Sequence, residues 1–183
     1  MMSWHGEVCE RIRRKNQVLF TKDSAYLQDL ETLLRRLDHR ASALWAFDFA
    51  AESVVWLEKR YPHEQRPRDA LEAARAWAAG AVKMPLAQRK ILDCHAFAKE
   101  ISCKADIAVC HAVGQACAVV HTAGHAIGYS IYDLTAIIYR LGIETCEDQV
   151  EQRKQTYIDR LFYWENHWRE TAGPWAGFMC RSK

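Results

Sequence analysis

Turn-forming residues are scarce. The 183 residues include only 8 Gly and 4 Pro, too few for a many-stranded β fold, which needs a turn every 8 to 12 residues or so. Also missing is any run near the roughly 18 to 20 apolar residues that cross a bilayer. Trp4, His5, Glu7 and Glu10 stand where a signal peptide would carry its apolar stretch. A cytoplasmic protein with no membrane partner is therefore expected. Charge of one sign is not in excess: 25 Lys+Arg against 23 Asp+Glu leave +2, with pI near 8.2, short of the balance expected of a nucleic-acid binder. The seven cysteines form no CxxC pair. Cys103, Cys110 and Cys117 recur every seven residues, about 10 Å apart along a helix, which is too far for a disulfide. Reduced thiols acting as small apolar side chains are expected. There is no glycine-rich phosphate loop and no GxSxG elbow, so no catalytic residue and no cofactor is assigned.

What remains is a chain that is 50% hydrophobic and 26% charged, apolar enough to offset the entropy of ordering. Its length suits one domain over residues 1–183. The apolar spacing predicts an all-α bundle of about seven or eight helices. A first helix is expected over Trp4–Phe20, and a second after Asp23 or Ser24 carries Leu27, Leu30, Leu33, Leu34 and Leu37. A third runs from Ala41 to about Arg60 and is ended by Tyr61-Pro62. The fourth begins at Pro67 and stops at Gly80, with Trp77 on its buried stripe. The fifth spans Pro85 to about Ser102. Residues 104–140 are helical with a break at His121–Gly124, and the last helix covers about Glu147–Glu170, ahead of an irregular tail over 171–183.

The seam Cys103, Ile107, Cys110, Gly114, Cys117, His121, Gly124, Gly128 marks the central element, where small residues admit another backbone. Gly124 and Gly128 are expected to leave no room for a side chain. His121 and His125 lie four apart and would share one face of a continuous helix, the start of a metal site. Cys94, His95, Cys110 and His111 are the partners on hand, and Thr122 stands where HExxH needs Glu. Metal binding through His121 and His125 is one reading; the other has one histidine bonded to a backbone carbonyl at the Gly124 break and the other packed in the core. Asp48, Glu52, Glu72 and Asp133 fall at no diagnostic spacing; Asp48, Glu52 and Arg75 are expected to join buried polar networks.

Asp38, His39, Arg40, Leu44 and Trp45, the turn Tyr61-Pro62, the start Arg66-Pro67-Arg68 and the helix Ala70 to Trp77 occur in that order. A second block holds Gly114, His121, Gly124, His125, Ala126, Gly128 and Tyr129. With the late helix around Gln155–Leu161, the chain resembles the bacterial immunity-five-like family over about residues 38–161. It departs at Gln115, where family members often carry His. The resemblance implies a single all-α domain that binds and neutralises a toxin protein from the same or a neighbouring cell. Loops and exposed aromatics are where affinity usually resides, so Tyr61, His63, Arg66, Arg68, Trp168 and Trp175 are the expected contact residues. Aromatics gathered near the end also suit a homodimer.

Overall fold

Helix begins wherever an apolar stripe recurs and ends wherever the stripe runs out. The structure is a computed structural model that describes residues 4–171 and 173–180; residues 1–3, 172 and 181–183, which belong to the expected domain and tail, lie outside the described residues. Eight α-helices follow in order: α1 His5–Arg13, α2 Gln28–Arg36, α3 His39–Arg60, α4 Arg66–Ala78, α5 Met84–Phe97, α6 Lys104–Ala118, α7 His125–Leu141 and α8 Glu147–His167. Three short 3₁₀ turns, Ala25–Leu27, Trp168–Glu170 and Gly177–Cys180, complete the set, and no strand occurs among the described residues. The fold class is all-α, as the sequence pattern predicts.

Helix α1 stops well before Phe20. Arg14, Lys15, Asn16 and Gln17 offer nothing to bury, the chain reverses at Lys15 (φ 58°), and Leu19 and Phe20 then enter the core. Helix α5 likewise ends at Phe97, five residues before the expected Ser102. Elsewhere the stop signals act as their chemistry dictates. The Asp38 carboxylate caps α3 by accepting from the Arg40 N–H at 2.9 Å. At the end of α4, Gly80 takes φ 78°, its N–H reaches Trp77 O at 2.9 Å and that of Ala81 reaches Ala76 O at 2.8 Å, the paired bonds of a Schellman stop.

Helix α6 sits at the centre, packed against α3, α4, α5 and α7, and its Ala, Gly and Cys side chains let those neighbours come close on every side. With α7 it forms an antiparallel hairpin through residues 119–124, the expected break. Helix α3 is buried almost all round, and its Trp45 and Phe49 meet Tyr129 of α7 and Tyr157 of α8 with ring centroids 4.9 to 6.2 Å apart. The tail is not left loose. Ala176 N–H bonds to Ala78 O at 2.8 Å, Met179 is buried and Phe178 lies 5.6 Å from Trp77.

Candidate partner-binding surface

The corner between α3 and α4 is built on one buried carboxylate. Asp106, in the first turn of α6, is fully buried and accepts from Trp56 Nε1 at 3.0 Å, Arg60 Nε at 2.6 Å and the Tyr61 hydroxyl at 2.8 Å. Burial alone would raise its pKa, but these donors outweigh it and hold the carboxyl below the usual carboxylate value. In return, burial and the contact with Asp106 push the Tyr61 phenol up to about 12. The Tyr61 ring packs edge-on against Phe97 at 5.2 Å. Arg66 grips both Glu64 (2.6 Å) and Glu100 (2.6 Å), and Arg68 makes a bidentate pair with Glu58 at 2.8 and 2.9 Å. These arginines hold the three carboxylates below their ordinary value. The turn is therefore rigid, and Pro62 and His63 project from it, both exposed.

The two expected tryptophans lie elsewhere. Trp168 is buried, with the Arg40 guanidinium 4.0 Å from its ring centroid and Arg169 at 4.5 Å. Because Arg40 stands at the start of α3 and Tyr61 just past its end, the 22 residues of that helix separate the patches by about 30 Å. Trp175 is half-buried against the core beside the end of α4. Tyr61, His63, Arg66 and Arg68 thus form one patch, and Trp168 and Trp175 are not part of it.

The histidines take separate roles. Because the helix breaks after Ala118, His121 and His125 do not share a helical face. His121 is exposed and stacks on Trp77 at 6.1 Å. His125 Nδ1 donates to Gln115 Oε1 at 2.9 Å, and burial, then the His121 charge, pulls its pKa below the ordinary value. No group of three or more His, Cys, Asp or Glu side chains among the described residues is placed to hold a metal ion. Gln115 also fills the space a side chain at Gly128 would need, its Oε1 lying 2.4 Å from where a Cβ would sit. Gly124 has open room instead, with nothing nearer than Thr122 Cγ2 at 3.8 Å. The expectation of close packing holds at Gly128 and fails at Gly124, which lies in the connector and not in the seam.

Sequence spacing missed a second polar centre. Arg153 of α8 reaches Asp133 at 2.6 Å, the Tyr129 hydroxyl at 3.0 Å and Glu52 at 2.7 Å, and Tyr157 donates to Asp133 at 2.5 Å. Burial would lower the Arg153 pKa, but Asp133 and the two tyrosines more than offset it and raise the pKa. A cleft of about 360 Å³ opens over this group, walled by Glu52, Trp56, Arg140 and Gln149. Asp48 pairs with Arg160 at 2.5 Å and Trp164 Nε1 at 2.8 Å. Asp48 and Glu52 join polar networks as expected, but not buried ones: Asp48 is partly buried and Glu52 is exposed. Arg75 joins neither, and lies exposed by Glu72. The members of these sets come from three helices, α3, α7 and α8, so no local spacing announces them.

A family model for the Imm-5 like putative immunity protein matches residues 32–160, from within α2 through most of α8, well over half of the chain. The chain belongs to this immunity-protein family. No curated protein and no solved structure matches it. No helix among the described residues is long and apolar enough to cross a membrane.

Proposed function

We propose that this immunity-family protein neutralises a toxin protein by binding it one to one, and that the α3–α4 corner around Tyr61, His63, Arg66 and Arg68 is the contact surface. The observation that carries the reading is the family match over residues 32–160. The corner supports it physically. Its arginines are already tied to Glu58, Glu64 and Glu100, so little side-chain freedom remains to be lost on association, and the exposed His63 and Pro62 stand proud of that frame. Trp168 is a fold anchor in this reading, because a buried ring under two guanidinium groups offers no face to a partner.

Growth rescue tests it. Co-expression with its cognate toxin should restore growth, and purified protein should bind that toxin at one-to-one stoichiometry. His63→Glu should weaken binding at least about tenfold with unchanged circular dichroism, while Lys59→Ala, exposed on the last turn of α3, should not. A toxin unaffected by co-expression overturns the neutralising role; full rescue by His63→Glu overturns the assignment of the corner. Self-association has its own support in Phe162 and Tyr163 on α8, which are 45% and 49% exposed. A sedimentation profile of a single monomeric species would remove it.

A further inference from the structure

The largest cavity described lies away from the α3–α4 corner, where the chain leaving α1 passes over α6 and α7. It measures about 850 Å³, inside the roughly 300 to 1,000 Å³ typical of small-ligand sites. Its mouth carries Lys15, Lys99 and Lys104, and no carboxylate lines it. None of the three ammonium groups has an ion pair among the described residues, whereas elsewhere fifteen Lys or Arg pairs with Asp or Glu are made. Three unpaired like charges around one concavity repel one another and concentrate a positive potential in it. The inner wall is apolar and aromatic, with Ile107 and Tyr132 beside His111.

The fold brings these lysines to the cavity. Lys15 sits in the left-handed region (φ 58°), a conformation uncommon for a residue with a Cβ. The turn is tied down because the Tyr139 hydroxyl lies 3.1 Å from both Asn16 O and Gln17 O. The Lys104 ammonium lies 5.5 Å over that same Tyr139 ring. Lys99 acts on the cavity wall, since after burial its charge is the next cause that lowers the His111 imidazole.

We infer that this cavity binds a phosphate-bearing small molecule with an aromatic or apolar body, the phosphates held by Lys15, Lys99 and Lys104 and the body laid against Ile107 and Tyr132. Lysine suits that task as a mobile point charge for phosphate oxygens. The site needs no toxin, so its test is separate from that of the neutralising role, and the failure of one leaves the other standing.

Titration calorimetry on the purified full chain, with ATP, inorganic pyrophosphate and adenosine as probes, decides it. ATP should bind at one site, with affinity falling as salt rises; pyrophosphate should bind more weakly, and adenosine more weakly still. Lys99→Ala/Lys104→Ala should weaken ATP at least about tenfold, while Lys59→Ala/Lys83→Ala, the same charge removed outside the cavity, should leave it unchanged. All four lysines are exposed, so thermal melts of the variants should match the parent. Absence of ATP binding at about 5 mM overturns the site. Equal loss in both double variants, or binding of an acidic peptide with none of ATP, overturns it as well, the latter in favour of a protein ligand.

Discussion

Gly114 shows how one missing side chain permits a polar pair. A Cβ at this position would lie 2.3 Å from His95 Cε1 and 2.4 Å from its Nε2, closer than atoms can approach, and the ring cannot swing away because its Nδ1 is 2.8 Å from His111 Nδ1. Gly114→Ala should therefore cost about 1–3 kcal/mol of unfolding free energy. Urea melts of Gly114→Ala, His95→Ala and the double variant should show the two changes to be non-additive, because removing the ring removes the clash. Two imidazoles in Nδ1 contact share one proton between them, so at least one must stay neutral. Burial, followed by the His111 charge, pulls His95 from 6.5 to about 4, and burial with Lys99 lowers His111. The unfolded chain takes up these protons near 6.5 and the folded chain only at lower pH, so stability is full above about 6.5 and falls as pH drops toward 4. The melting temperature should decline between pH 7 and pH 4.5, and decline less in His95→Gln; equal slopes in the two proteins would show that the pair does not couple folding to protons.

At the scale of elements, α4 and the tail form one packing unit that periodicity only half discloses. Trp77 belongs to a helical stripe and is buried, as expected, between His121 and Phe178. Trp175 follows Gly173 and Pro174, has no stripe, and still packs half-buried against the core. Trp77→Ala should cost about 3–5 kcal/mol. Trp175→Ala should cost about 1–2 kcal/mol, as suits a ring that keeps part of its surface wet. Denaturant melts followed by circular dichroism give both values, and a Trp175 variant as stable as the parent would detach the tail from the core. Helix α1 gives the opposite lesson. Its basic run Arg11, Arg13, Arg14, Lys15 reads as the outer face of a longer helix. In the structure the last two residues of that run leave the helix, because four consecutive polar residues offer no buried contact to hold another turn.

For the whole molecule, one contiguous cluster of buried side chains runs from Trp4 to Met179 and draws on every helix from α1 to α8. We therefore expect unfolding as a single domain. Urea transitions followed by tryptophan fluorescence and by far-ultraviolet circular dichroism should coincide; two separated transitions would show that α1 and its following segment unfold independently of the bundle.

Fold class and helix order were legible in the sequence because amphipathic period, proline and glycine stops act within a few residues, and the short-range chemistry of Tyr61-Pro62 and Gly80 works the same way in any fold. The Arg66-Pro67-Arg68 start was legible for that reason too. What periodicity cannot carry is the partner of a side chain. His121 and His125 look paired at a spacing of four, and the break after Ala118 parts them. Asp106 gathers Trp56, Arg60 and Tyr61 across 45 to 50 positions of sequence, and Asp133 meets Arg153 only because α7 and α8 pack side by side. Lys15 stands far from Lys99 and Lys104 in sequence and comes to their cavity through the turn that Tyr139 pins. Local propensity is set by neighbours along the chain, whereas charge pairing, burial and cavities are set by neighbours in space, and those only the packing of the helices against one another decides.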